Sequence, residues 1–392
     1  MDPLALERDE LAAWLRLTQT PGIGRALARR LLAQAGTVQA VFTQSPTALR
    51  SLLTPAQLAA LLSMSPAQRD VLQICWQWLQ HPPPGLAHAV ITLGDPRYPA
   101  SLLATEDPPL LLYVAGPQPA FTRAAALFPA QRALAMVGSR QPSAQGLVDA
   151  RRLAHELCLA GLCIVSGMAL GIDAAAHEGA LEAAQAGRAA DAGPATIAVW
   201  GTGLDQPYPS RHAALAQRIA RAGLLVSEYP LGTPPLAAHF PQRNRIISGL
   251  AQGTLVVEAA LASGSLITAR LAAEQGREVF AIPGSIHAPQ SHGCHALLRQ
   301  GATLVETAQD VLNELQGLAP RPPPPPAPAS APQTPRETEL LAALGFDPLG
   351  LDELVARSGW SAAQLQAALL ELELAGRVAR LPGGLFQRVE RG

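Results

Sequence analysis

Residues 239–284 read HFPQRNRIISGLAQGTLVVEAALASGSLITARLAAEQGREVFAIPG. Arg243 and Arg245 flank Asn244 just before a short apolar helix, Ile246 to Leu250, and the β-branched run Thr254-Leu-Val-Val-Glu258 reads as a buried strand. The strand ends in Ser263-Gly-Ser265, whose second serine is placed to cap a helix from Leu266 to Gln275. The next strand, Val279 to Ile282, stops at Pro283-Gly284. Strand, Gly/Ser turn, helix and strand in this order make a βαβ unit. Such a turn presents backbone N–H groups at a helix N-terminus, which suits an anion. Cations beside it point to phosphate, and several such turns in line point to a phosphate chain.

At 392 residues, 48% of them apolar, the chain is long enough for two or three domains with a sizeable core. Formal net charge is −1, which excludes a globally basic nucleic-acid binder but allows a locally basic groove. All 29 cations are arginine, so any phosphate contact is made by a guanidinium fork. The N-terminus carries no signal-peptide pattern and no stretch approaches a membrane span. Cys75, Cys158, Cys163 and Cys294 form neither a CxxC pair nor a disulfide framework, so a cytoplasmic setting is expected.

Residues 1–80 read as a helical domain. Within it LTQTPGIGRALARRLL (17–32) is patterned like a SAM/helix-hairpin-helix unit, Gly22 and Gly24 giving the turn and Arg25, Arg29 and Arg30 following. Two readings stand for it: a phosphate-binding hairpin, or a bundle whose glycines merely turn the chain. His81-Pro-Pro-Pro-Gly85 marks the first boundary. From Ala133 the α/β alternation is regular. Strands are expected at Ala133–Val137, Cys163–Val165, Thr196–Trp200, Leu224–Val226, Thr254–Val257 and Glu278–Ile282, with helices between them, in a parallel sheet covered on both faces. Residues 185–195, QAGRAADAGPA, read as a surface insert. Residues 319–335 form a Pro/Ala-rich linker of polyproline II type. Residues 336–392 read as three helices and a Gly-Gly hairpin, a winged-helix-like domain with six arginines against eight acids. Its presumptive recognition helix carries no cation before Arg377, so a protein-contact or structural role is favoured over duplex DNA binding.

The strand ends in the middle domain carry Gly138-Ser139-Arg140, Ser166-Gly167 through Gly171, Gly201-Thr-Gly203, Ser227-Glu228, Ser263-Gly-Ser265 and Pro283-Gly284. At one edge of a parallel sheet these turns are expected to line one crevice. Gly138-Ser-Arg-Gln-Pro-Ser lacks the dinucleotide fingerprint, and a lysine-free chain has no phosphate-loop lysine. Arg140 suits an incoming backbone phosphate. Phe240 is either a face for an unpaired base or a core residue; aromatic, arginines and amides together hold single strands without sequence readout.

The ordered blocks MVGSR, SGMALGIDAAAH, GTGLDQPYP, SEYP, PQRNRIISGL, VVEA, SGSLITA, IPG and GCHALLRQGA resemble the DprA/Smf family of DNA-processing proteins over about residues 89–315. The resemblance implies an extended Rossmann-like core, residues 89–318, that dimerises, binds single-stranded DNA without sequence preference, protects incoming DNA in natural transformation and loads the RecA recombinase onto it. No cofactor, metal or enzymatic activity is implied. By motif position the DNA contacts would be Gly138, Ser139, Arg140, Ser166, Gly167, Phe240, Arg243, Asn244 and Arg245. The absence of lysine is the departure from the family pattern.

The alternative is a Rossmann-like nucleotide-processing or nucleotide-sensing enzyme built on Glu258, with Asp173 and His177 one turn apart on a helix face. Against it, and favoured over it, Asp173 reads as a residue that caps or orients its loop, with His177 packed behind, and no nucleophile or metal accompanies them. The spacing of His287, His292, Cys294 and His295 matches no zinc pattern.

Overall fold

The computed structural model describes residues 6–122, 127–129, 132–188, 193–315, 334–381 and 383–389. Most of the Pro/Ala linker and part of the 185–195 insert lie outside these residues.

A nine-stranded sheet organises the chain. Its strands are β1 (Leu86–Thr92), β2 (Leu111–Pro117), β3 (Ala133–Val137), β4 (Cys163–Ser166), β5 (Thr196–Trp200), β6 (Leu224–Ser227), β7 (Gly253–Val256), β8 (Glu278–Ala281) and β9 (Thr303–Leu304). The order is β1-β2-β6-β5-β4-β3-β7-β8-β9. From β6 to β9 all neighbours are parallel; β2 pairs antiparallel with β6, and β1 with β2. The expected six-stranded parallel core is present, and the proline-punctuated segment after residue 85 adds an antiparallel edge to it. Apolar layers cover both faces, one built on Ala135, Val165, Val199 and Ile247, the other on Met136, Leu153, Ile164 and Leu255. The chain runs outward from β3 through β4, β5 and β6, then returns to the other side of β3 as β7. That reversal opens a crevice at the carboxyl ends of β3 and β7, where open α/β sheets place their ligands.

Two local expectations change. The helix after β6 runs His239–Leu250, so Arg243, Asn244 and Arg245 are helical residues rather than a loop before a short helix. Pro241 sits in its first turn, where no backbone N–H is needed. Ser265 does not cap its helix: it is the first residue of Ser265–Glu274, and its N–H donates to Ser263 Oγ at 3.3 Å.

The helical unit, from Arg8–Gln19 to Pro66–Gln80, is joined to the sheet rather than separated from it. Leu11, Leu15, Leu31 and Leu61 share one apolar cluster with Val90, Leu111 and Tyr113, and Trp78 stacks on His88 at 3.9 Å. Residues 81–85 therefore break the chain but not the core. Residues 335–388 fold around their own cluster of Leu340, Leu344, Leu354, Leu365, Leu369 and Phe386. There three helices, Pro335–Leu344, Leu351–Ser358 and Ala362–Leu374, precede the strand pair Val378–Leu381 and Leu385–Arg388. Gly383 and Gly384, both at positive φ, turn that pair. This is the winged-helix arrangement.

Candidate nucleic-acid interface

A cleft of about 1000 Å³ lies at the switch point, between the turn after β3 (Val137–Gln141), the segment after β7 (Ala260 and Ala262–Ser265) and the helix His239–Leu250. Of the six strand-end turns expected to line it, these two and Ala169-Leu170 do so. The others are closed off. Phe240 covers the β5 turn so tightly that a Cβ on Gly201 would lie 3.0 Å from its ring. Buried Ser227 donates to Thr202 O at 2.6 Å, and a Cβ on Gly284 would strike Ser291 Oγ at 2.2 Å.

Two of the built-in anion positions are occupied by the chain's own carboxylates. Asp173 accepts from the N–H groups of Gly167 and Ala169, each at 3.1 Å. Glu258 lies against the start of the helix Ala144–Leu159, accepting from the N–H of Ser143 at 2.9 Å and from its hydroxyl. A Cβ on Gly146 would meet the Glu258 carboxyl carbon at 2.5 Å, so glycine is required for that approach. Amides and helix dipole that would otherwise attract phosphate are thereby satisfied internally. Burial pushes both carboxyls up; for Asp173, Arg243 and the two amides oppose that shift.

The expected DNA contacts divide accordingly. Arg243 is 4% exposed. Its guanidinium donates to the carbonyls of Gly167 and Val199 and faces Asp173; burial brings its pKa down to about 10 against the pull of that carboxylate. It ties the helix His239–Leu250 onto the ends of β4 and β5, and is a strut rather than a free phosphate contact. Arg245 is also engaged, bonding Glu228 through Nη2 and Asp107 O through Nη1 at 2.6 Å. Arg25 and Arg29 reach the same Asp107 carboxylate at 2.7 and 2.6 Å. Although burial opposes it, Arg29, Arg245 and Arg25 hold Asp107 below the usual carboxylate range. Arg25 and Arg29 thus dock the helical unit, while Arg30 is exposed. Ser166 is fully buried and donates to Met136 O at 2.6 Å; Gly167 has both backbone groups engaged, by Asp173 and Arg243. Neither offers a group to a ligand. These departures share one cause: the helix lies over the middle of the sheet edge and converts those strand ends into core.

Gly138, Ser139, Arg140, Phe240 and Asn244 remain on the cleft. Arg140 is exposed and donates no hydrogen bond to any described residue. The Ser139 N–H donates to Glu258 O at 2.7 Å, which ties the β3 and β7 turns together beneath it. Phe240 is half-buried, and its ring lies 5.3 Å from that of Tyr208, which is 49% exposed. One side of Phe240 packs on Gly201, while the residue still lines the cleft. Tyr208 and Thr268 also line it and were not expected there, while Ser263 and Ser265 belong to a turn that was. Tyr208 stands in the GTGLDQPYP block, where an aromatic between prolines was the only sign of it.

The groups weighed for catalysis are structural. His177 is completely buried; its Nδ1 lies 2.7 Å from Thr196 Oγ1, whose proton goes to Ile164 O. The imidazole therefore donates from Nδ1, and burial lowers its pKa to about 3. His292 and His295 bond to backbone carbonyls, Cys294 is buried, and no metal-ligand group occurs among the described residues. No described helix is long and apolar enough to cross a membrane.

A doubly wound α/β core with a cleft at its switch point, a docked helical unit and a winged helix define a Rossmann-like protein with two appended helical units. The model of the DNA recombination-mediator protein A family matches residues 89–316, and that of the DprA winged helix domain matches residues 322–384. The chain is 43% identical to Protein Smf of Escherichia coli, with 86% of each covered. It is 46% identical to the DNA processing protein DprA of Streptococcus pneumoniae over 57% of this chain and 72% of that one. The X-ray structure of the Streptococcus pneumoniae protein superposes with a TM-score of 0.61 at 34% identity, covering 80% of this chain and 99% of the other. The chain belongs to the DprA/Smf family.

Proposed function

We propose that this protein binds single-stranded DNA in the switch-point cleft without reading its sequence, and acts in the processing of incoming DNA as a recombination mediator rather than an enzyme. The observation that carries the proposal is Arg140: an exposed cation at the cleft, beside Phe240, with no hydrogen-bond or ion-pair partner among the described residues. Asp173 and Glu258 already fill the positions where a snugly held nucleotide phosphate would sit, which favours a strand lying across the cleft over a mononucleotide within it. A strand so held meets Arg140 with its phosphates, Phe240 with a base, and Ser139 and Asn244 with polar groups. Arg243 supports this surface from below. Handing the strand to RecA, and action as a homodimer, complete the proposed role of a DprA/Smf protein.

The test is fluorescence anisotropy of labelled oligo-dT across a salt series, with wild type and Arg140→Glu. Wild type binds with a negative log–log slope, and the variant binds weakly with a slope shallower by about 0.7 for each phosphate contact removed. Binding insensitive to salt, or a strong preference for duplex, refutes the proposal. Release of free base from nucleoside monophosphates, abolished in Glu258→Gln, would establish the nucleotide-enzyme reading instead.

A further inference from the structure

We propose that Tyr208 is a second base-stacking residue, forming with Phe240 a two-ring platform at one end of the cleft; this rests on the single-strand reading above. The two rings lie 5.3 Å apart at 39° to one another. Phe240 is backed by Gly201, where even a methyl group would press on its ring at 3.0 Å. Tyr208 leans on Phe240 and leaves half of its surface to solvent, and its hydroxyl bonds to no described residue. A large aromatic so placed stabilises little core, and it exposes apolar area that a base would cover.

The loop that carries Tyr208 is held in place before any ligand arrives. Thr202 Oγ1 donates to Gln206 O at 2.8 Å, the Gly203 N–H to Thr233 O at 3.0 Å, and the Gly232 N–H to the Asp205 carboxylate at 2.9 Å. The Asp205 carboxylate is thereby held as the acceptor that fixes the loop. Leaning on Phe240 also limits the rotamers of Tyr208, which lowers the entropy lost when a base stacks on it. The next cation along the chain, Arg211, is exposed and pairs with no described residue.

Stacking and phosphate contacts are told apart by removing the base. We would measure binding of full-length protein to oligo-dT and to an oligonucleotide of equal length with a central abasic tract, using wild type, Tyr208→Ala, Tyr208→Phe and Arg140→Glu. Tyr208→Ala should weaken oligo-dT binding by roughly 5- to 150-fold and leave binding to the abasic strand nearly unchanged. Tyr208→Phe should restore oligo-dT affinity, since the ring and not the hydroxyl does the stacking. Arg140→Glu should weaken both strands alike. Equal losses on both strands for Tyr208→Ala, or no rescue by Tyr208→Phe, would overturn the assignment of Tyr208 while leaving the single-strand reading intact. Failure of wild type to bind either strand would overturn both.

Discussion

Replacing Arg243 by alanine separates the two roles an arginine could have in this cleft. The substitution removes the donor to the carbonyls of Gly167 and Val199 and leaves the buried Asp173 carboxylate without its facing cation. Removing one partner of a buried charge pair costs about 3–5 kcal/mol, and each buried carbonyl left unpaired adds about 1–3 kcal/mol. These terms overlap, because Asp173 regains stability by taking a proton and a water can enter the space. A net loss of about 3–5 kcal/mol is the expectation. In a unit the size of the 228-residue family match (89–316) that lowers Tm by about 6–20 °C. Chemical denaturation and thermal unfolding of wild type, Arg243→Ala, Asp173→Asn and the double variant measure it. The double variant should lose less than the sum of the singles, since the neutral amide that Asp173→Asn introduces no longer requires a cation. Arg140→Glu, on an exposed side chain, should change stability by no more than about 0.5 kcal/mol while weakening DNA binding with a shallower salt slope. The reasoning is refuted if Arg243→Ala loses under about 1 kcal/mol and weakens oligo-dT binding with a shallower salt slope, as a phosphate contact would.

Gly167→Ala should expel the same guanidinium, since a Cβ there would lie 2.6 Å from Arg243 Nη2; a loss of about 1–3 kcal/mol by denaturation is expected. His177 gives a pH dependence of definite sign. Its folded pKa of about 3 lies below the ordinary 6.5, so on acidification the unfolded chain takes the proton first. Stability therefore falls from pH 6.5 downward by about 1.4 kcal/mol per pH unit from this group. His177→Gln should lack that component when denaturation midpoints are compared at pH 7 and pH 5. Asp107→Ala should loosen the helical unit by releasing Arg25, Arg29 and Arg245, seen as faster proteolysis within residues 8–80, with the winged helix unaffected. Deleting residues 334–392 should leave oligo-dT affinity within about twofold, because every group assigned to the strand lies in the α/β core. A large loss would place part of the interface on the winged helix.

The order of elements was legible in the sequence because local signals agree with the fold. Apolar β-branched runs such as 254–257 and 196–200 marked strands, observed at Gly253–Val256 and Thr196–Trp200, Gly/Ser turns stood at their ends, and the Gly383-Gly384 turn marked the wing. Family membership was legible for the same reason: its motifs are contiguous blocks. Arg140, exposed at the first turn, could be placed from sequence alone, because the residue after a first-strand glycine turn has few places to go. Which other groups face the cleft depended on contacts between residues far apart in the chain. Arg243 reaches Gly167 and Val199, Arg245 reaches Asp107 and Glu228, and Glu258 reaches Ser143. In sequence each reads as a free charge beside a glycine turn. In the folded chain burial requires each charge to find its partner inside, since an unpaired buried ion is too costly to keep. Local sequence thus positions the strands, turns and charges along the chain. Long-range packing then consumes Arg243, Arg245, Asp173 and Glu258 in holding the fold, and leaves Arg140, of the two described arginines that line the cleft, for a ligand.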